Sequence, residues 1–352
     1  MDLSNGMNTS QPLLCYGMPP GILTFNPKFL ITLMVLNTFI SITATIGNLL
    51  VLVTIWQSPH LHSPSNTLLF SLALSDLCVG LISEPLNVGF HAVHFKNSSN
   101  FTSCTLMNAR TLISTTLTLV TMLTVTAMSV DRYLAIYLHL RYEQVVTEKK
   151  TRKVILCLWL TSSLPLVLTM VFHAMTSLLV GIITIAFCLL IVSFAWIKIY
   201  QVVQHHRAQI QDQMAVVTQS FNMARFRNSA INTMLVLVIV LLCYTPFLVS
   251  NIFLSVSLNP SNVLFIEITY VVVLANSSLN PLVYFWRQRN LRLRARQLVM
   301  RFCCQTQLQW ELCQTEKDLS RPACLSAGVL LPASRQKRRR AGCESPFHSM
   351  YN

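Results

Sequence analysis

The chain has 352 residues, of which 53% are hydrophobic and only 11% charged, with a formal net charge of +14. That is too little polar surface to cover a soluble globule of this size, so the composition implies an integral membrane protein. The positive charge collects in loops and tail, as cytoplasmic segments require, which argues against nucleic acid as a partner. Of eleven cysteines, Cys78, Cys157, Cys188 and Cys243 fall inside apolar runs, leaving Cys15 and Cys104 as the ones expected to meet an oxidising compartment. The start, Met1-Asp2-Leu3-Ser4-Asn5, has neither a basic n-region nor an apolar h-region. The first membrane helix is therefore expected to serve as the insertion signal.

A bilayer core about 30 Å thick needs roughly 20 residues of apolar helix. The run from Phe29 to Trp56 exceeds that without a charge. Pro59, His60 and Pro64 break the chain before a second run, Asn66 to about Phe90, which carries Asp76 near its middle and Glu84-Pro85 further on. A third run extends from about Leu106 to Ile136 and meets its first inner ions at Asp131-Arg132-Tyr133. Between the second and third runs lies a polar loop with sequons at Asn97 and Asn100; a further sequon at Asn8 agrees that this side is extracellular.

Val154 to Ile197 contains no Asp, Glu, Lys or Arg. As one helix it would be about 66 Å long, twice the membrane, so it must fold back. The turn is expected around His173 to Ser177, giving a fourth helix to about Phe172 and a fifth from about Leu178 to Tyr200. A sixth helix runs from Ala230 to about Val256, the turn Leu258-Asn259-Pro260-Ser261 follows, and a seventh covers Val263 to Phe285. Lys149, Lys150, Arg152, Lys153, Lys198, Arg207, Arg225, Arg227 and Arg287 lie on the side opposite the sequons. The expected topology puts the N-terminus outside and the C-terminus in the cytoplasm, at the plasma membrane.

After the seventh helix, Leu291, Ala295, Leu298 and Phe302 recur at helical spacing among arginines. This predicts a short amphipathic eighth helix on the inner leaflet, in contact with membrane lipid, with Cys303 and Cys304 placed for palmitoylation. The expected fold is an all-α membrane protein, a seven-transmembrane helix bundle with that eighth helix. Its divisions are an extracellular N-terminus (1–28), the receptor-like bundle (29–285), the amphipathic helix and palmitoylation site (286–304) and a disordered cytoplasmic tail (305–352).

Several motifs occupy these helices in a fixed order: Gly47-Asn48, Leu72-Ala73-Leu74-Ser75-Asp76, Asp131-Arg132-Tyr133, Trp159, Cys243-Tyr244-Thr245-Pro246 and Asn280-Pro281-Leu282-Val283-Tyr284. Together they resemble the rhodopsin-like (class A) G-protein-coupled receptors over roughly Phe29 to Cys304. The short fourth-to-fifth loop, the lack of proline in the core of helix five and Arg141-Tyr142-Glu143 look most like the branch holding melanocortin, adenosine and cannabinoid receptors. The resemblance implies a receptor that passes an extracellular signal to a heterotrimeric G protein, with arrestin as a further partner. It implies no resident cofactor, and no enzyme motif is present: there is no His-Glu-x-x-His pattern, Gly-x-Ser-x-Gly elbow or phosphate-cradling glycine loop.

A carboxylate at mid-membrane such as Asp76 is costly unless paired, hydrogen-bonded or protonated, and so is a functional candidate. Thr121 lies eleven residues before Arg132, about 16 Å outward, near the same depth. Asn48, Asn276, Ser277 and Asn280 supply further oxygens, and the resemblance implies that this cluster holds an allosteric sodium ion. The alternative is a protonated Asp76 in a plain hydrogen-bond network. Pro246 and Pro281 remove backbone hydrogen bonds from helices six and seven, which lets an inner half swing. The resemblance makes Asp131, Arg132, Tyr133, Leu140, Tyr244, Pro246, Asn280, Pro281 and Tyr284 the switch and G-protein-coupling set.

The chain departs from the family pattern. No Asp or Glu occurs between Asp212 and Glu267, so Phe226 stands where helix six carries an acid opposite the counterpart of Arg132. Raised basal signalling is the expectation. Tyr244 replaces the usual tryptophan, Trp196 a tyrosine, and His139 a proline. Met107 occupies the helix-three position of the usual extracellular disulfide and the following loop has no cysteine. Cys104 therefore either bonds Cys15, worth about 4 to 5 kcal/mol in the chain-entropy model, or both stay free thiols. Ser114 stands where amine receptors carry aspartate, and the melanocortin acidic cluster and the adenosine histidines are also missing. The expected pocket is apolar with Glu84, Asn87, Arg110, Ser114, Asn251, Glu267 and Tyr270 at its upper wall. Such a wall suits a small neutral or anionic molecule, a lipid or a short peptide, and not an amine. For each of these residues helix packing is the alternative. The rival reading of the whole chain is a constitutively active or non-signalling relative without an extracellular ligand.

Overall fold

A computed structural model describes residues 25–58, 63–96, 100–138, 141–164, 167–168, 174–212, 238–257, 259–289 and 291–300. Its helices are α1 (Pro27–Trp56), α2 (Pro64–Phe95), α3 (Asn100–Leu138), α4 (Glu148–Ser162), α5 (Ala174–Asp212), α6 (Val238–Val256) and α7 (Pro260–Arg287), with a single turn at Tyr142–Val145 between α3 and α4. All but α4 are, over their described lengths, long and apolar enough to cross a membrane. Residues 1–291 form one compact unit; residues 292–352 form a second, whose described part, 292–300, is helical.

Local chemistry sets the helix starts. Asn26, Ser63 and Asn259 each accept a backbone N–H from the first turn of α1, α2 and α7, and each is followed by proline at the first helical position. There the missing N–H costs nothing, since no intrahelical acceptor exists for it. These three helices therefore begin two or three residues before the apolar runs do, and α3 and α4 begin six before theirs. Of the fold-back expected at His173–Ser177, Ala174 to Ser177 are helical, and His173 lies outside the described residues. A small-residue-tolerant α5 extends through that stretch, and nothing in Ala174-Met175-Thr176-Ser177 breaks a helix.

Inside and outside are exchanged relative to a soluble bundle. Phe39, Ile46, Phe187, Leu190 and Phe194 point away from the bundle, whereas Asn37, Asn48, Ser75, Asp76, Asn276 and Asn280 are fully buried. Lipid accepts the former, and the latter must find partners within the protein. The largest core cluster joins Val51, Leu72, Met122, Val125, Cys188, Val240, Tyr244 and Tyr284 from α1, α2, α3, α5, α6 and α7. α3 packs on α2, α4 and α5, and α1 on α2 and α7. Two glycines permit close approach. A Cβ on Gly47 would stand 3.0 Å from the ring of Pro281, and one on Gly80 would stand 2.7 Å from Thr45 Oγ1 and 2.9 Å from the Thr45 backbone nitrogen.

α2 contains one wide π turn, Val79–Ser83, directly before Glu84-Pro85. Pro85 has no N–H to give to the carbonyl four residues earlier, and its ring crowds that carbonyl, so the turn opens. The extra residue resets the face of everything that follows and buries Ser83, Glu84, Asn87 and His91.

Candidate functional site

Three polar stations line the bundle from its outer to its inner end. At the outer end, Arg110 of α3 donates from Nη2 to both carboxylate oxygens of Glu267 on α7, at 2.9 and 2.8 Å. The guanidinium also lies over two rings, 4.5 Å from the centroid of Phe90 on α2 and 4.6 Å from that of Tyr270 on α7. His91 Nε2 stands 3.9 Å from Glu267 Oε2. Arg110 and Glu267 are each 7% exposed, so the pair is desolvated and ties α2, α3 and α7 together. One turn inward from Arg110, Ser114 is hydrogen-bonded to Ser83 of α2. Six of the seven residues expected at the upper wall fall in this region, on α2, α3 and α7. Asn251 is also buried, but its side-chain amide donates to the Phe247 carbonyl at 2.7 Å, within its own helix.

The middle station centres on Asp76. Ser277 Oγ donates to Asp76 Oδ1 at 2.9 Å and Asn280 Nδ2 to Oδ2 at 2.8 Å. Ser75 and Thr121 are hydrogen-bonded at 3.2 Å, which brings α3 to the same level. Asn48 Nδ2 donates to the carbonyls of Ala44 and Ser277. The oxygens of Asn48, Asn280 and Asn276 are buried with no hydrogen-bond partner. A carboxylate among unused amide oxygens is a donor set of the hard-oxygen kind that suits a small cation. On α4, Trp159 Nε1 donates to Ser71 Oγ at 3.1 Å.

At the inner end Asp131 accepts two hydrogen bonds, from Tyr142 OH at 2.6 Å and from Ser65 Oγ at 2.8 Å, while Arg132 Nε lies 3.8 Å from its Oδ2. Burial pushes the Tyr142 phenol up to about 12, helped by its bond to Asp131 and that group's charge, so it stays a donor at physiological pH. As partners of Asp131 neither was expected: Ser65 was not singled out in the sequence, and Tyr142 only as part of Arg141-Tyr142-Glu143. A hydroxyl at the start of α2 and a tyrosine in the turn after α3 carry no local signal of their meeting.

Tyr244 and Tyr284 are buried in the main core, and Asn280, Pro281 and Tyr284 share the inner half of α7. Leu140, Asn8, Asn97, Cys15, Cys303 and Cys304 lie outside the described residues, as do the side chains of Asn100 and Cys104 and the segment with Phe226.

Comparison with known proteins agrees with this arrangement. A family model described as 7 transmembrane receptor (rhodopsin family) matches residues 47–179. Melanocortin receptor 4 of Danio rerio is 24% identical over 274 residues, covering 75% of this chain and 82% of that protein. Melanocortin receptor 5 of Mus musculus is 23% identical over 280 residues with the same coverage of each. Adenosine receptor A2b of Gallus gallus is 34% identical over 135 residues, 37% of each chain. The order of the helices, the Asp76 cluster and the Asp131-Arg132-Tyr133 end of α3 belong with these matches: the chain is a multi-pass membrane protein of the rhodopsin (class A) family of G-protein-coupled receptors and not an enzyme.

Proposed function

We propose that this receptor sits in the plasma membrane with its N-terminus outside and signals to a heterotrimeric G protein with raised basal output. One observation carries the basal activity: no carboxylate occurs between Asp212 and Glu267, so α6 has no acid with which to hold Arg132 inward. Asp131, the acid beside that arginine, is engaged by Ser65 and Tyr142. The switch set is then Asp131, Arg132, Tyr133, Leu140, Tyr244, Pro246, Asn280, Pro281 and Tyr284, with arrestin as a further partner. Asp76, Asn48, Thr121, Asn276, Ser277 and Asn280 would hold a sodium ion, whose positive charge offsets the buried carboxylate.

The ligand enters from outside against Asn87, Arg110, Ser114, Glu267 and Tyr270. Because Glu267 already neutralises Arg110, a small neutral molecule, a lipid or a short peptide fits this wall better than a free anion. The same pair favours a second reading, in which the receptor signals with no extracellular ligand, since its strongest polar groups satisfy each other. Agonist screening with a G-protein readout separates the two.

The test of basal activity is expression without agonist and measurement of G-protein activation beside surface expression. Output several-fold above mock-transfected cells is expected, and Phe226→Glu should lower it. Mock-level output from a receptor present at the surface would sink the reading.

A further inference from the structure

α1 reads as an uninterrupted apolar span, yet Asn37 lies in it with no exposure, and neither atom of its amide has a hydrogen-bond partner. Glu84 is likewise fully buried, with both carboxylate oxygens unpartnered. Register brings the two to one level. Ser41 Oγ donates to the Gly80 carbonyl at 2.7 Å, and Gly80 is pressed against Thr45, which fixes how α1 and α2 pass each other. The helices run in opposite directions, so one turn outward from this contact is Asn37 on α1 and Glu84 on α2. The π turn strengthens the coincidence. With about 4.4 residues per turn, a residue four after Gly80 stays close to the face that touches α1. Asn87 follows on the same buried side, where its Nδ2 donates to the Ser83 carbonyl at 2.8 Å and leaves Oδ1 unpartnered.

We propose that Glu84, Asn37 and Asn87 form a binding site for one positive charge between α1 and α2, about 12 Å outward of Asp76. Oxygen acceptors outnumber donors in this group, and a buried carboxylate without a counter-charge is unfavourable by several kcal/mol. Arg110, a buried cation on the neighbouring α3, is committed to Glu267 at 2.8 Å. A divalent ion is disfavoured, because it needs more carboxylate than Glu84 provides, and among the described residues no group of three or more His, Cys, Asp or Glu could hold a metal. What fits is a single charge on a hard or hydrogen-bond-donating centre: a monovalent metal ion, or the ammonium group of a short peptide ligand reaching the pocket. Either would give a partner to the amide that Asn37 places, buried and unpartnered, inside a lipid-spanning helix. The site shares α1 and α2 with the Asp76 cluster but none of its residues.

The experiment measures thermal unfolding of the purified full-length receptor carrying Asp76→Asn, which disables the inner cluster. Sodium chloride and methylammonium chloride are compared with N-methylglucamine chloride at equal ionic strength. At least one of the two should raise the midpoint by about 2 °C or more. Glu84→Gln added to this background should remove the shift, and Asn37→Leu should reduce it. A response to sodium alone identifies a metal ion, and a larger response to methylammonium identifies an ammonium group. The proposal is overturned if neither salt moves the midpoint, or if the shift survives Glu84→Gln. It is equally overturned if Glu84→Gln raises the midpoint alike in all three salts, which would mark Glu84 as a neutral buried acid. Failure of the receptor's basal activity would show in G-protein output and leave these salt responses unchanged.

Discussion

Glu267→Gln is the sharpest test of the outer station. The substitution keeps shape and one acceptor oxygen but removes the charge opposite Arg110, whose guanidinium is held between Phe90 and Tyr270 with 7% exposure. The two ring contacts exist in both forms and so cancel from the difference. What is lost is the attraction of a desolvated pair at 2.8 Å, and breaking such a pair by removing one partner costs about 3 to 5 kcal/mol. His91, 3.9 Å from Glu267, is too distant to hydrogen-bond the new amide without rearrangement. The thermal midpoint of the purified receptor should therefore fall by several degrees. Arg110→Met should cost a similar amount because it strands Glu267, while the double variant Arg110→Met/Glu267→Gln should recover much of either loss. The reasoning fails if Glu267→Gln is as stable as the parent, or if the two single losses simply add. Addition would mean the two side chains act through separate contacts.

At the inner station, Tyr142→Phe deletes a 2.6 Å hydrogen bond to a carboxylate. In this half-buried setting the loss is about 1 kcal/mol, and agonist-free G-protein output should change by roughly fivefold with no loss of surface expression. Between α1 and α2, Gly80→Ala would set a methyl within 2.9 Å of the Thr45 backbone nitrogen, whereas a methyl at Gly89 meets nothing within 4 Å. The first should lower thermal stability by about 1 to 3 kcal/mol and the second should be near neutral, as paired melting curves would show. Asp76→Asn removes the charge that receives Ser277 and Asn280. Basal output that falls with rising sodium chloride in the parent should become insensitive to it in this variant, when compared at constant ionic strength.

The number, order and class of the helices were legible because a membrane-spanning segment must satisfy its backbone internally and be apolar over its length, two demands visible one segment at a time. Ends were read less well. The apolar runs begin at Phe29, Asn66 and Val263, but the helices begin at Pro27, Pro64 and Pro260, where a capping Asn or Ser precedes the proline. That signal was present in the sequence and outweighs hydropathy, since a cap can sit in the headgroup region where apolar character is not required. Within the expected turn, Ala174 to Ser177 are helical, since short polar residues alone do not stop a helix.

The site divides along the same line. Asp76 could be recognised alone, because an ionisable group at mid-membrane demands partners whatever they are. Arg110 and Glu267 each suggested a pocket wall, but 157 residues separate them, and only packing turns two open groups into one closed pair. That closure shifts the inference about ligands from anions toward neutral molecules. Asn37 is the instructive omission. An amide inside an apolar run lowers the average hydropathy so little that the span still reads as plain, although an unsatisfied amide in lipid costs more than several methylenes contribute. Its significance depends on Glu84 standing opposite, and Glu84 stands there because Pro85 opens one turn of α2. A residue's chemistry can thus be read from the chain, while the partner that gives it a role is set by a register shift in a different helix.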